Sequence, residues 1–388
     1  MVIDYDKVLE IARKKVDMRM LQNDPKAFES EMAFAVNGKY SYDKIPLNSN
    51  AWTKSFLYGA VALMYYHTKD EKYLKYLEDS YDVYKKFLDE RQGSVAHDTG
   101  FLYIPYAIAW YEVSGSQRAY ELACRAADDY AKRFVFASGI LQGFGWCDDI
   151  ASTIIDDMMN NSLLLWGGRH SQRECFYSHI YGSHTNQVIK YMLRDDYTFK
   201  HSYAFETATG NPLGERNICG FSNGTIWARG QAWGIYGLIN VLYATNNCNR
   251  YLSVIDGLIN KTYELYPEDG IPCWDLAKYK HIGENGMDIP DTSAAVIMAS
   301  ALEKVRLYTM DHDLPPIYTR NGIDICGELS DTILENIVKS YMADDSAENI
   351  IEGGQCGKIA AGTVWGDYFF IEALMRKKYG KDCPEIWN

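Results

Sequence analysis

The sequence predicts an all-α fold in which six helical hairpins close into a ring, an (α/α)6 barrel. Apolar residues recur at helical spacing through nearly all of the 388 residues. Six segments are apolar on almost every side, and six amphipathic segments alternate with them. A helix that is apolar all round must be covered on both faces, which a closed ring with these helices inside provides. No linker rich in Gly, Pro or Ser divides the chain, so we expect one domain over residues 1–388.

The elements follow one another as inner and outer helices. The predicted inner helices are FLYGAVALMYYH, GFLYIPYAIAWYEV, IIDDMMNNSLLLWGG, GQAWGIYGLINVLYA, SAAVIMASALEKVRLY and WGDYFFIEALMRKKYG. The predicted outer helices are DKVLEIARKKVDMRM, EKYLKYLEDSYDVYKKFLDE, QRAYELACRAADDYAKRF, QRECFYSHIYGSHTNQVIKYML, NRYLSVIDGLINKTYEL and CGELSDTILENIVKSYMA. The stretch from about Asp195 to Thr225 lacks a helical period, and we expect a loop or strand excursion over one mouth of the ring.

The composition limits the partners. A net charge of −13 argues against nucleic acid and anionic membrane surfaces, because the field of the protein repels both. The 31 Tyr and 9 Trp suit flat, hydroxyl-rich ligands such as sugars. The 9 Cys include no CxxC pair, and no His cluster has metal-ligand spacing, so the sequence predicts neither a metal nor a cofactor. With no leader segment and no long apolar run, we expect a cytoplasmic protein, and the oligomeric state stays open.

The starts of the inner helices are the candidate site. Six helix N-termini in a ring share one mouth, where unpaired N–H groups and positive dipole ends favour an anionic ligand. The polar and aromatic residues at these starts are Trp52, His97, Asp98, Asp156, Trp227, Arg229, Asp291, Trp365 and Asp367.

Structural explanations compete with a site at several of these positions. Asp98 and Asp291 precede apolar helices and are good N-caps. Asp156 lies about one turn inside its predicted helix, which runs from Thr153 to Gly168, so capping explains it less well. Asp157 points about 100° away and is expected to be solvated. Arg229 at a buried helix start needs either a carboxylate or a ligand anion. The tryptophans and histidines, taken singly, are more typical of a core.

Several of these segments together resemble a known family. HDTGFLY, IIDDMMNNSLLLWGG, GTIWARGQAWGIYGL, CWDL, DTSAAVIMASALEK and WGDYFFIEALMR resemble the unsaturated glucuronyl hydrolases, glycoside hydrolase family 88, in order and over essentially the whole chain. The resemblance implies an (α/α)6 barrel that removes 4,5-unsaturated uronic acid from the non-reducing end of oligosaccharides left by polysaccharide lyases. The substrate is a vinyl ether, so one carboxyl group can protonate C4 and then accept a proton from the water that adds to C5.

The resemblance also implies roles for individual residues. Asp156 is the general acid and base, and Asp98 holds sugar hydroxyls. For Asp156 to be protonated near neutral pH, burial and the charge of Asp98 must together outweigh the helix dipole. Asn160, one turn after Asp156, either orients the water or the acid or is a buried structural amide. The implied substrate-binding residues are His97, His201, Arg229 and Lys358, with aromatic walls from Trp52, Phe144, Trp233 and Tyr368.

The sequence departs from the family pattern in places, which leaves alternatives open. Cys219 stands where Gln is usual, Phe144 where Trp is usual, and Gly353 and Cys356 replace serines that accompany Lys358 in members acting on sulfated substrates, so the sulfate preference stays open. The nearest alternative is an unsaturated rhamnogalacturonyl hydrolase acting on pectin fragments, against which RGQAWGIYG argues. A sugar epimerase using His97 and His201, and a non-catalytic glycan-binding scaffold, are the others.

Overall fold

The structure is a computed structural model of the chain. It describes residues 3–26, 34–40, 52–90, 97–143, 149–276, 289–319, 321–357 and 359–388. Within these ranges helices predominate, and none of them combines the length and the apolar character that crossing a membrane requires.

The inner helices are buried on nearly every side, as their all-round apolar sequences predict. In the described ranges they are α2 (Lys54–Thr68), α5 (Thr99–Tyr103) with α6 (Ala109–Ser114), α8 (Asp157–Asn160) with α9 (Ser162–His170), α11 (Ala228–Thr245), α13 (Thr292–Asp311) and α15 (Val364–Tyr379). A π-helical turn at Ile104–Ile108 joins α5 to α6.

The outer helices bury one face each. In the same ranges they are α1 (Tyr5–Gln22), α3 (Glu71–Asp79) with α4 (Tyr81–Glu90), α7 (Gln117–Ala131), α10 (Glu174–Gln187), α12 (Cys248–Leu265) and α14 (Ile325–Ser340). Each inner helix packs against the next around the ring, and α15 packs against α2, so the ring closes. The predicted (α/α)6 barrel is confirmed.

The turns from inner to outer helices are encoded locally. The inner helices α2, α6 and α11 end where Lys69, Gly115 and Asn246 adopt left-handed backbone conformations. Outer helices begin at once: the Asp70 side chain caps α3 by accepting from the Lys72 amide, and Ser116 caps α7 in the same way. These short turns make consecutive helices antiparallel, which places all inner-helix starts at the same mouth.

Short antiparallel strands flank that mouth. They are β1 (Phe34–Val36), β2 (Lys39–Tyr40), β3 (Phe134–Val135), β4 (Ile140–Leu141), β5 (Ile150–Ile154), β6 (Ser202–Glu206), β7 (Pro212–Arg216), β8 (Gly354–Cys356) and β9 (Ile359–Thr363). The sheets have the orders β2-β1-β9-β8, β3-β4 and β5-β6-β7. Because β6 and β7 fall between residues 195 and 225, the predicted strand excursion is confirmed.

The helix predicted to begin at Thr153 starts later. Thr153 and Ile154 pair with Tyr203 and Ser202 as the last residues of β5, and the first helical residue is Asp157. Both are β-branched, which suits a strand once a partner strand is present. The prediction of a helix from Thr153 is therefore wrong at its first residues, and the correction makes the following residues the junction between a strand and a helix.

A buried polar cluster joins the C-terminal residues to two inner helices. Arg376 on α15 and Lys304 on α13 are both fully enclosed. Glu385 pairs with both cations, with nitrogen–oxygen distances of 2.6 Å to Arg376 and 3.0 Å to Lys304. Trp387 nearby is buried among the core aromatic rings, including Phe369 at 5.6 Å between centroids. These contacts fix residues 385–388 beneath the mouth.

Candidate active site

Asp156 is the carboxylic acid at the junction of β5 and α8. It occupies the N-cap position of α8, but its side chain accepts no capping hydrogen bond. Its Oδ2 atom is enclosed and has no hydrogen-bond partner in the described structure. A cap is thus not its role, and the carboxyl group is left available for a ligand.

The environment of Asp156 favours its protonated form. Burial, the largest cause, raises the pKa of this carboxyl from 3.8 to about 7. The negative charges of Asp98 and Asp157 act in the same direction, while the positive charges of His97 and Arg229 oppose them. The expectation that burial and Asp98 outweigh the helix dipole is confirmed in direction, with burial the larger contribution.

His97 and Asp98 form an ion pair at the start of α5. The His97 Nε2 atom lies 3.1 Å from Asp98 Oδ1, and His97 Nδ1 lies 2.6 Å from the Gly143 carbonyl oxygen, which can only accept. Burial acts to lower the pKa of His97, but the charge and hydrogen bond of Asp98 raise it to about 9, so the ring is an imidazolium. Asp98 makes no capping bond. The explanation of Asp98 as only an N-cap is therefore wrong.

Asn160 and Asp157 support the acid. Asn160 Oδ1 accepts from the Phe101 amide at 2.7 Å, and its Nδ2 donates to the Asp156 carbonyl at 3.1 Å, so α5 and α8 are tied together. Asp157 accepts from Thr153 Oγ1 at 2.8 Å and from the Ile154 amide at 3.2 Å, and it is fully buried. The expected solvation of Asp157 is wrong, because its oxygens bind donors inside the protein. Asn160 has both of its polar atoms engaged, as the structural-amide alternative predicts.

Arg229, on the first turn of α11, has a carboxylate partner. Its Nη1 donates to Asp291 Oδ2 at 2.6 Å and to the Gln355 carbonyl at 3.1 Å. The guanidinium lies over the rings of Trp227 at 4.8 Å and Trp365 at 5.2 Å from their centroids. Within the described residues, its Nε and Nη2 atoms have no acceptor. One edge of the cation is therefore held, and the other can bind an anion.

His201 is a neutral histidine beside this cation. It precedes β6, and its Nδ1 accepts from the Ile218 amide at 3.2 Å, which leaves Nε2 as a donor. Burial lowers the pKa of His201 to about 4, with the charges of His97 and Arg229 acting in the same direction. The ring meets Trp227 edge-on at 5.1 Å. The mouth thus combines a carboxyl whose pKa is about 7, an imidazolium, a guanidinium and a neutral imidazole.

Comparisons with known proteins decide the family. No family model matches the chain. The unsaturated glucuronyl hydrolase of Bacillus sp. strain GL1 is 30% identical over 348 residues, which cover 87% of this chain and 89% of the relative. The chain belongs to the unsaturated glucuronyl hydrolase family. A crystal structure of the enzyme from Bacillus sp. GL1 gives a TM-score of 0.84 at 26% identity over 99% of this chain and 98% of that one.

A second relative is the unsaturated chondroitin disaccharide hydrolase of Streptococcus agalactiae, 28% identical over 355 residues that cover 88% of this chain and 84% of the relative. The resemblance inferred from the sequence is confirmed, and the chain is a hydrolase of the glycosidase class.

The aromatic residues implied by the family occupy different depths. Trp52 is half-buried and stacks on Trp365 at 5.4 Å between centroids. Trp233 and Tyr368 are 1% and 0% exposed, and both rings pack in the core beneath the mouth, Trp233 against Phe101 at 5.1 Å. The prediction of walls from these two residues is wrong in this structure, because neither ring is accessible. Trp233 supports Phe101, on which Trp52 rests at 5.5 Å.

The remaining positions singled out in the sequence are Phe144, Lys358, Cys219 and Gly353. Phe144 and Lys358 fall outside the described residues. Cys219 belongs to the loop after β7 and is exposed. Gly353 has a φ of +78°, and a Cβ there would lie 2.9 Å from the Tyr341 ring, so a serine does not fit without a shift.

The sequence places Trp227, Asp291 and Trp365 at the candidate mouth without assigning them individual roles, and it does not single out Ser293 or Gln355. All five residues lie within the contacts of Arg229. The signal available was the crowding of Trp and Asp at the inner-helix starts, which core packing and capping explain equally well. In the described part of the chain, no group of three or more His, Cys, Asp or Glu forms a metal site.

Proposed function

We propose that the chain releases 4,5-unsaturated uronic acid from the non-reducing end of oligosaccharides produced by glycosaminoglycan lyases, by hydration of the C4=C5 double bond. The observation that carries the proposal is Asp156, an enclosed carboxyl with a free Oδ2 and a pKa of about 7. Such a group is protonated in a large fraction of molecules near neutral pH and can still ionise, which a residue that serves as both acid and base requires.

The chemistry needs one group that gives a proton and then takes one. Asp156 donates its proton to C4 of the vinyl ether, and the positive charge that develops at C5 is stabilised by the ring oxygen. Water adds to C5 and gives its proton to the Asp156 carboxylate, which regenerates the acid. The resulting hemiketal collapses, the ring opens and the partner sugar leaves. Attack at the anomeric carbon by a second carboxylate, as in ordinary glycosidases, is not needed.

The neighbours of Asp156 supply binding and orientation. We assign the Nε and Nη2 edge of Arg229 to the carboxylate of the uronic acid, a planar anion that a guanidinium grips through two hydrogen bonds. The His97–Asp98 pair and the Nε2 donor of His201 are assigned to the sugar hydroxyls. Trp52 is assigned to stack on a ring. The buried indole N–H groups of Trp227 and Trp365, unpaired in the described structure, are further donors.

The substrate class rests on the relatives. The Bacillus enzyme is described as responsible for the degradation of glycosaminoglycan, and the Streptococcus agalactiae relative as an unsaturated chondroitin disaccharide hydrolase. We propose that the whole chain acts as one catalytic domain in the cytoplasm. A continuous hydrophobic core and the free thiols of the described cysteines support these two points.

The test is the ultraviolet absorbance of the conjugated C=C in unsaturated chondroitin, hyaluronan and heparin disaccharides. We expect this absorbance to fall when the protein is added, and to persist when Asp156→Asn protein replaces it. Loss of absorbance only with unsaturated rhamnogalacturonan disaccharides would assign the pectin alternative. No loss with any unsaturated substrate would refute the proposal and favour an epimerase or a non-catalytic scaffold.

A further inference from the structure

We propose that Asp291 is a positioning residue that fixes the guanidinium of Arg229, so that its Nε and Nη2 edge faces the bound uronic acid. The inference rests on the proposed function, in which Arg229 binds the substrate carboxylate. It concerns a residue at the mouth for which the sequence gives no individual role other than that of a helix cap.

Asp291 accepts more hydrogen bonds than a helix cap requires. Its carboxylate is fully buried at the start of α13, where Oδ1 caps the helix by accepting from the Ala294 amide at 3.2 Å. The same oxygen accepts from Ser293 Oγ at 2.5 Å and from the Gln355 amide at 3.2 Å. The second oxygen, Oδ2, accepts from Arg229 Nη1 at 2.6 Å. Capping uses one oxygen of Asp291, and Arg229 uses the other.

The contacts of Arg229 hold its guanidinium in one orientation. Its Nη1 carries two hydrogens and meets three acceptors: Asp291 Oδ2, the Gln355 carbonyl and Ser293 Oγ at 3.3 Å. The rings of Trp227 and Trp365 on the guanidinium restrict rotation. The side chain is only 11% exposed, so its charge requires a nearby counter-charge. Asp291 supplies that charge and holds one edge, and the opposite edge stays open for a carboxylate.

The pairing also affects the acid. Arg229 acts to lower the pKa of Asp156, and so does His97, whereas Asp98 and Asp157 act to raise it. Because Asp291 neutralises part of the Arg229 charge, removing its own charge increases the influence of Arg229 on Asp156. The pKa of Asp156 should then fall, and a merely structural cap would not have this effect.

The experiment compares Asp291→Asn with a matched cap variant, Asp324→Asn, in the full chain. Asn caps about as well as Asp, so capping is retained in both variants. Asp324 caps α14 by accepting from the Gly327 amide at 3.2 Å, and it lies 3.6 Å from Arg306. Like Asp291, it caps a helix and pairs with an arginine, but it does so away from the mouth. We expect Asp291→Asn to raise KM about tenfold or more, with a smaller fall in kcat, and to shift the alkaline limb of the pH profile to lower pH. Asp324→Asn should change neither.

A binding measurement separates this inference from the proposed function. In the Asp156→Asn background, calorimetry gives the Kd for an unsaturated chondroitin disaccharide without turnover. We expect Asp291→Asn to weaken this binding, and to have no further effect once Arg229→Met has removed the guanidinium. Weaker binding without turnover by the wild type would refute the proposed function and leave the positioning role standing. An unchanged Kd, or an equal loss with and without Arg229, would overturn the inference.

Discussion

The pH dependence of turnover follows directly from the position of Asp156. Activity requires the protonated carboxyl, so kcat/KM should fall as pH rises through its pKa of about 7. The protonated fraction is about 90% at pH 6 and about 10% at pH 8, so a roughly tenfold fall between these values is expected. With the ordinary pKa of 3.8, well below 1% of the carboxyl groups would be protonated at pH 7.

His97→Gln is the perturbation that tests this electrostatic account. The imidazolium is the largest of the charges that lower the pKa of Asp156. Replacing it removes the cation and leaves the negative charge of Asp98 in place. The pKa of Asp156 should rise, and the alkaline limb should move to higher pH by on the order of one unit. Turnover at the optimum should fall as well, because a substrate contact is lost.

Asp98→Asn provides the informative contrast. Loss of the Asp98 charge acts to lower the pKa of Asp156, but it also removes the main group that keeps His97 protonated against burial. The positive charge of His97 disappears together with the negative charge of Asp98, so the alkaline limb of the pH profile should move less than in His97→Gln. Asp98 makes no capping bond, so any loss of thermal stability in this variant comes from the broken pair with His97 and not from a lost cap.

The assay is the initial rate of absorbance loss at substrate concentrations below KM, from about pH 5 to about pH 9, a range that spans the expected titration. His312→Gln, at the far end of α13, is the matched control and should leave the limb in place. A wild-type limb below pH 5 would show that burial does not raise the pKa of Asp156. An unmoved or lowered limb in His97→Gln would refute the role of the ion pair.

Three further substitutions have defined outcomes. Asp156→Asn should reduce turnover by about 10⁴-fold or more in a folded protein, and a residual rate above about a tenth would refute its role. Arg229→Lys should raise KM more than it lowers kcat, because the ammonium lacks the planar fork; an unchanged KM would assign Arg229 a structural role. Glu385→Gln should lower the free energy of unfolding by about 3 kcal/mol by leaving buried Arg376 short of a counter-charge. Calorimetry checks this against the exposed Glu90→Gln, which should change stability by less than about 0.5 kcal/mol.

The ring of helices could be predicted because burial leaves a periodic trace in the sequence. An inner helix such as α11 is apolar on all sides, since it is covered by its neighbours in the ring and by an outer helix. The polar turns after α2 and α6 carry residues that accept a left-handed conformation and then cap the next helix. The end of β5 could not be predicted in the same way, because Thr153 and Ile154 become a strand only by pairing with residues about fifty positions later.

The sequence was sufficient to locate the site but not to assign a role to each of its residues. A carboxylate at a helix start gives the same local signal whether it turns back onto the helix or reaches a distant partner. Asp98 turns away and pairs with His97, whereas Asp291 caps its helix and also binds Arg229, 62 residues away in the chain. Likewise, the sequence does not distinguish Trp52, which reaches the mouth, from Trp233, which lies under it. These distinctions depend on contacts between helices that are far apart in sequence.

The two adjacent aspartates at the start of α8 differ in their hydrogen bonds. A helix start favours an ionised carboxylate because amide groups are available to bind it. Asp157 accepts from the Ile154 amide, from Thr153 Oγ1 and from the Tyr130 hydroxyl at 3.2 Å. Asp156 receives none of these donors, and its Oδ2 is enclosed without a partner in the described structure. Hydrogen-bond donors stabilise the ionised form of a carboxyl. Because the local donors bind Asp157 and not Asp156, burial makes the largest contribution to the pKa of Asp156. Because Asp157 accepts from the local donors, Asp156 keeps its proton until it transfers the proton to a substrate.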